Sequence, residues 1–409
     1  MQPAPTSAPQ AFSSYPVNAL MRVAERPEVV FTHGHGSWLW DSTGRRYLDL
    51  VQGWAVNTLG HAPEVVAQAL TQQAGRLLQA GPGFYNAPAL MLAQRLTALS
   101  GLERCFLTSS GAEANEGAIK LARKFGQLHR GGAYEIITFQ HGFHGRTLAT
   151  MSASGKPGFE PLFAPKVPGF PKARLNDLAS VSALIGPNTV AVMLEPIQGE
   201  AGVIEAQPAF LHGLRRLCDE LGLLLIFDEV QTGVGRTGRL WGHQWSGVQP
   251  DIMTLGKCLG GGVPVGGLLA RDRVSCFAPG DQGGTYTGNA LTTAAALAVL
   301  EAVTKDGFLA QVRSRSERLR QGLDRLADQW GVGPAQGQGL LLALDLPEGL
   351  TSARVAEAAM AVQPHGLLVN PVRPQRLRFV PALNIGEAEI DEALQLLAEA
   401  MQEAVAEAG

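Results

Sequence analysis

Leu223-Leu224-Leu225-Ile226-Phe227-Asp228-Glu229 is the stretch whose reading decides the fold. Its five apolar residues form a short run of the kind buried on both faces of a parallel β-sheet. The run ends in two acids. Carboxylates beside an apolar core carry a large desolvation cost unless a cation or hydrogen-bond donors meet them. Further along, Asp251-Ile252-Met253-Thr254-Leu255-Gly256 reads as a second strand that delivers Lys257 into Cys258-Leu259-Gly260-Gly261-Gly262. Two strand ends therefore present an acid and an amine.

One reading of this pair is a buried Asp–Lys ion pair that closes the core. The glycine triplet behind Lys257 supports another, because a backbone stripped of side chains lets something bulky approach closely. Pyridoxal 5'-phosphate requires an amine to hold its aldehyde and an anion to keep its ring nitrogen protonated. Lys257 and Asp228 match those two requirements.

Outward from this centre, strands and helices alternate from Phe106 onward, the pattern of a parallel sheet wrapped by helices. Leu107-Thr108-Ser109-Ser110-Gly111 leaves a strand and enters a helix whose first turn is built from small residues. Exposed amides there, reinforced by the helix dipole, suit a phosphate; an ordinary capped helix gives the same pattern. Glu135 to Phe139 reads as the next strand and runs into Gln140-His141-Gly142-Phe143-His144-Gly145-Arg146-Thr147. Phe143 can lie flat against a planar ring, and Arg146 offers a fork for a carboxylate or for a surface ion pair. His141 and His144 lack a third ligand, so no metal is expected.

Thr189 to Leu194 is another buried strand. It ends in Glu195-Pro196-Ile197-Gln198-Gly199-Glu200, acids again at the strand end where open α/β sheets place ligands. Gly283-Gly284-Thr285-Tyr286-Thr287-Gly288-Asn289 is a small-residue loop before the helix expected over Ala290 to Leu300. Thr285 is either a phosphate ligand or the turn that starts that helix. Near the N-terminus, Trp38 to Leu50 reads as a hairpin turning at Gly44, and Pro63 opens a helix with Val65, Val66, Ala69 and Leu70 on one face. Towards the C-terminus, Arg376 to Asn384 alternates like a strand with Arg378 in step, and Ile390, Leu394, Leu397 and Met401 form a helical core stripe.

The 409 residues, 45% of them hydrophobic, suffice for a large core and two lobes. A formal net charge of -3 without a block of like charges gives no footprint for nucleic acid. No apolar run reaches the length of a membrane span. Cys105, Cys218, Cys258 and Cys276 form neither a C-x-x-C pair nor a disulfide framework, which fits a reducing cytoplasm. Residues 1–14 have no charged or apolar signal region and are expected to be a flexible leader.

Six ordered blocks now stand together: Ser110-Gly111-Ala112-Glu113-Ala114-Asn115, Phe143-His144-Gly145-Arg146-Thr147, Glu195 to Glu200, Asp228-Glu229-Val230-Gln231-Thr232-Gly233, Thr254-Leu255-Gly256-Lys257, and Arg378-Phe379-Val380-Pro381-Ala382-Leu383. On these the chain resembles the class III, pyridoxal phosphate-dependent aminotransferases of fold type I, from about Thr32 to the C-terminal helix. The resemblance implies an α/β fold. A large cofactor-binding domain over 63–303, with a mostly parallel sheet wrapped by helices, is joined by a smaller α+β domain built from 15–62 and 304–409.

It also implies roles. Lys257 would hold the cofactor and then act as the base, with Asp228 at the ring nitrogen, Gln231 at the ring hydroxyl, and Phe143 and Val230 on the two ring faces. The amides of Gly111 and Ala112, with Ser110 nearby, would hold the phosphate. Thr285 would reach the phosphate in the neighbouring subunit's site, making the active unit a homodimer. Arg146 would bind a substrate carboxylate. Glu200 and Arg378 would form a switch, paired for a substrate with a neutral distal end and opened, with Arg378 freed, for the α-carboxylate of glutamate or 2-oxoglutarate. Glu195 is expected to be structural.

Within the family the chain is most similar to enzymes acting on acetylornithine, which in many bacteria also handle succinyl-diaminopimelate. Two positions depart from the pattern. Gly284 stands where a serine usually contacts substrate, leaving only backbone there. Gly53 stands where ornithine-acting relatives tend to carry tyrosine, beside a Trp54 expected to narrow the pocket. The expected reaction is transfer of an amino group from N2-acetylornithine to 2-oxoglutarate. Other ω-amine donors (succinyl-diaminopimelate, 4-aminobutyrate, ornithine or a carrier-bound amino-adipate), an aminomutase or epimerase on the same scaffold, and a cofactor-binding regulator are the alternatives. The last would need a DNA-binding module for which neither end of the chain offers material.

Overall fold

A computed structural model describes residues 10–406. Most of the expected leader lies outside the described residues. Gln10 is tied to the hairpin, its N–H donating to Ser42 O at 2.8 Å and its carbonyl accepting from Ser42 Oγ at 2.7 Å.

Leu224–Asp228 lies within a seven-stranded sheet, fully buried. It runs parallel to Thr189–Leu194 on one side and to Ile252–Leu255 on the other. Its alternate residues explain why the run is apolar throughout. Leu224 and Ile226 pack with Ala118, Ile119 and Ala122 of the helix Gly111–His129. Leu225 and Phe227 pack with Phe210, Leu211 and Leu214 of the helix Pro208–Leu221 on the opposite face. Each such side chain contributes about 1.5–3 kcal/mol on burial, so neither face tolerates a polar residue.

Glu135–Phe139 and Lys172–Ala173 extend the parallel part, while Gly266–Ala270 runs antiparallel between Ile252–Leu255 and Arg104–Thr108. The sheet is thus mostly parallel, and the C-terminal ends of its central strands lie side by side. That edge carries Asp228 and leads directly into Lys257.

The chain's two ends meet in a second sheet. The hairpin Trp38–Asp41 and Arg46–Asp49 turns at Gly44, where Asp41 Oδ1 accepts from the amides of Thr43 at 2.8 Å and Arg45 at 3.0 Å. Gly366–Leu368 then pairs in parallel with Arg46–Asp49. A third sheet holds Arg376–Phe379 between Leu341–Asp345 and Asn370–Arg373, with Arg378 buried. The helix Glu387–Ala406 buries Ile390, Leu397 and Met401 as its spacing predicts. In the helix Glu64–Ala74, Val66 is buried but Val65 points to solvent, so the apolar face is narrower than the pattern suggests. Among the described residues no helix is long and apolar enough to cross a membrane.

Candidate active site

The two acids that end the central strand go opposite ways. Glu229 turns into the protein, where its carboxylate accepts from the amides of Gly242 and His243, each at 2.7 Å, from Thr232 Oγ1 at 2.6 Å and from His243 Nδ1 at 2.9 Å. Burial acts to raise its pKa, but these bonds, led by His243, hold it below the usual range. Asp228 turns into a cavity of about 270 Å³.

Asp228 is held in place by three donors. Its Oδ1 accepts from Val230 N at 3.0 Å; its Oδ2 accepts from Asn115 Nδ2 at 2.7 Å and from His144 Nδ1 at 2.8 Å. A carboxylate only accepts, so the His144 proton sits on Nδ1. Asn115 is itself oriented, its Oδ1 accepting from Thr254 Oγ1 at 2.6 Å. A rigidly held acid therefore faces the cavity, and among the described residues no Lys or Arg is paired with it.

Lys257 reaches the same cavity from the end of Ile252–Leu255, with its backbone in the left-handed region at φ 36°. Gly256 allows this approach, since a Cβ there would stand 3.0 Å from Gly111 Cα. The expectation for the triplet 260–262 is corrected. A Cβ on Gly260 would lie 1.8 Å from Val263 O and one on Gly261 2.7 Å from Val299 Cγ2, so these glycines serve the chain's own packing and do not line the cavity. The amine makes no ion pair among the described residues, which disposes of a simple Asp–Lys bridge. Its pKa is lowered, first by burial and then by the Arg378 charge, against the pull of Glu200, Glu195 and Asp228. A lowered lysine spends more of its time as the neutral nucleophile and base.

Opposite, the helix Gly111–His129 begins at the cavity wall. Ser110 Oγ caps it by accepting from Glu113 N at 3.2 Å. The preceding amides, Gly111 and Ala112, are first-turn donors without intrahelical partners, at the positive end of a 19-residue helix. They line the cavity with Val230. Phe143 forms another wall, its amide donating to Glu195 Oε1 at 2.8 Å. Burial, and secondarily the Asp228 charge, push Glu195 up to about 8.

At the mouth, Arg146 stacks its guanidinium over Phe159 at 5.5 Å. Glu200 Oε1 accepts from Arg378 Nη2 at 2.9 Å, so the expected switch pair is closed. Burial alone would raise Glu200, yet Arg378, Lys257 and Lys156 together bring it down to about 2.

Of the residues singled out in the sequence, Gly111, Ala112, Phe143, Arg146, Glu200, Asp228, Val230, Gln231 and Lys257 line one cavity. Arg378 stands behind Glu200 and Gln231, and Ser110 caps the adjoining helix. Gly284 and Thr285 stand apart, on an exposed loop. The helix after that loop is capped by Asn289, whose Oδ1 accepts from Leu291 N at 3.0 Å, so Thr285 does not start it. Trp54 does not narrow this cavity within the chain. Residues 52–55 form a left-handed turn that leaves Trp54 60% exposed.

Asn115, His144 and Glu195 were missed as site residues. Asn115 falls four residues after Gly111, the spacing that puts both on one helix face, and that was the available signal. Nothing local marks His144 as the partner of Asp228.

The Aminotransferase class-III family model matches residues 20–401. The chain is 56% identical over 386 residues to acetylornithine aminotransferase 2 of Bordetella pertussis, covering 94% of this chain and 97% of that protein. Its structure is similar to the N-acetylornithine aminotransferase of Stenotrophomonas maltophilia, with a TM-score of 0.81 and 38% identity over 93% of this chain and 98% of that one. It is also similar to the ornithine aminotransferase of Toxoplasma gondii, with a TM-score of 0.89 and 30% identity over 96% of this chain and 94% of that one.

Proposed function

The chain belongs to the class III aminotransferases, and from that premise we propose that it uses pyridoxal 5'-phosphate to transfer the amino group of N2-acetylornithine to 2-oxoglutarate, giving N-acetylglutamate 5-semialdehyde and glutamate. The observation that carries this reading is a half-buried lysine amine that makes no ion pair among the described residues, sharing a cavity with an aspartate held by three donors.

The residues fit the cofactor. First-turn amides at Gly111 and Ala112 suit its phosphate, Asp228 its ring nitrogen, Gln231 its ring hydroxyl, and Phe143 and Val230 its two faces. When bound, it supplies an electron-accepting ring to the carbon that carries the amino group. Asp228 would keep a proton on the ring nitrogen, and its own position is fixed by Asn115 and His144. Lys257 Nζ would hold the aldehyde until the donor's own amine displaces it, and the freed amine would then take the proton from the amino-bearing carbon.

Arg146 binds the carboxylate that both substrates carry at the same end. With Glu200 and Arg378 paired, the other end of the site offers no free guanidinium and takes the acetylated end of the donor. With the pair opened, Arg378 takes the α-carboxylate of 2-oxoglutarate. One pocket thereby serves two substrates of different charge.

A homodimer completes the site in this reading. Segments 78–86 and 285–291 are joined by the bonds Gln79 Nε2 to Thr285 O, Asn86 Nδ2 to Gly288 O and Leu291 N to Leu78 O. They present Phe84, Tyr85 and Tyr286 to solvent at 77, 89 and 67% exposure, an apolar patch suited to a second copy. Thr285 and Gly284 on that face would enter the partner's site. The four cysteines, all free, fit a reducing cytoplasm.

Purified holoenzyme is expected to react with acetylornithine alone, seen as loss of the bound cofactor's absorbance, and to be regenerated by 2-oxoglutarate. In a donor panel acetylornithine should lead. A competing ω-amine donor favoured tenfold in kcat/KM, about 1.4 kcal/mol, would replace it. Turnover without any keto acid would point instead to a mutase or epimerase.

A further inference from the structure

Lys156 belongs to none of the six sequence blocks, yet its ammonium lies 3.0 Å from Glu200 Oε2. Glu200 Oε1 lies 2.9 Å from Arg378 Nη2. One carboxylate is therefore shared between two cations, one oxygen to each. The cations differ in freedom. Arg378 has a side chain only 1% exposed, and its guanidinium is also fixed by Asn370 Oδ1 on Nε at 2.9 Å and by Gln231 Oε1 on Nη1 at 3.3 Å. Lys156 is 30% exposed and lies over the rings of Phe143 and Phe159, at 5.5 and 6.0 Å from their centroids. Among the described residues Glu200 is its sole anionic partner.

A second carboxylate that comes to Arg378 must displace Glu200. Because the guanidinium is anchored on two further nitrogens, the part that moves when the pair opens is the Glu200 carboxylate. A half-buried carboxylate that loses its cation bears an unpaired desolvation cost unless another cation receives it. Resting on the reading of Glu200 and Arg378 as a switch, we propose that Lys156 is the second station of that switch, holding Glu200 while the α-carboxylate of 2-oxoglutarate or glutamate occupies Arg378. Lys156 is a positioning residue: it acts through Glu200 and sets how readily the site admits a dicarboxylate. A donor with a neutral distal end leaves the pair closed and does not call on it.

Lys156→Met tests this in the holoenzyme, since methionine keeps an unbranched stem over Phe143 and removes the charge. The KM for 2-oxoglutarate is expected to rise about tenfold, the loss of one charge-assisted contact, while the KM for acetylornithine stays within about twofold. The Kd of glutarate, a dicarboxylate that cannot be aminated, should rise by a similar factor in calorimetry. Lys156→Arg should restore both constants. An equal rise in both KM values, or no rise for either dicarboxylate, overturns the proposal. Arg378→Gln in parallel separates the two ideas. If it leaves the dicarboxylate constants unchanged, the switch itself is wrong; if it raises them and Lys156→Met does not, only the role of Lys156 falls.

Discussion

Replacing Lys257 by alanine is expected to lower kcat for amino transfer by about 10⁴-fold, the upper end of what a positioned proton-transfer group contributes. Among the described residues no second lysine lines the cavity. Arg146 and Arg378 offer guanidinium groups, which are donors only, and Lys156 is paired with Glu200 at 3.0 Å. The variant should still fold. The lysine amine bears a desolvation cost that alanine removes, while the backbone at φ 36° is no harder for alanine to adopt than for lysine. A melting temperature within a few degrees of the parent, beside a near-total loss of kcat, would separate a chemical role from a structural one. Retention of a tenth of the activity would refute it.

Asp228→Asn should produce the second-largest loss, about 10²–10³-fold in kcat, the range seen when one preorganised electrostatic group is removed. Asparagine preserves the shape and removes the charge that keeps a proton on the ring nitrogen. It also brings an amide N–H into a site built entirely of donors. The amide oxygen can face Asn115 and His144, but its nitrogen then meets the amide of Val230. That unsatisfied contact costs about 1–3 kcal/mol and should weaken cofactor retention as well. Steady-state kinetics with a cofactor titration checks both effects, and a kcat within threefold of the parent would mean that Asp228 only braces the cavity.

Much of this was legible in the chain because strand ends and helix starts are local events. Leu223 to Lys257 gives both the two-faced strand and the placement of an acid and an amine at one sheet edge, since periodicity and burial fix where each strand stops. The Ser110 cap follows from local chemistry in the same way. What surrounds Asp228 was not legible. Asn115 is 113 positions away and His144 is 84, and a hydrogen bond across that separation leaves no mark on periodicity. His144 drew attention only as a possible metal ligand, and its Nδ1 serves Asp228 instead. The glycine triplet was read as room for a ligand, whereas its backbone is crowded by Val263 and Val299. Glu195 was read as structural. It does brace the Phe143 amide, and it is also a cavity wall.

The central claim is that the Lys257 nitrogen carries the cofactor, and borohydride treatment of the holoenzyme followed by peptide mapping tests it most directly. The account predicts the cofactor-derived mass on the peptide that contains Lys257 and on that residue within it. The same mass on any other lysine, Lys156 and Lys172 included, would contradict it.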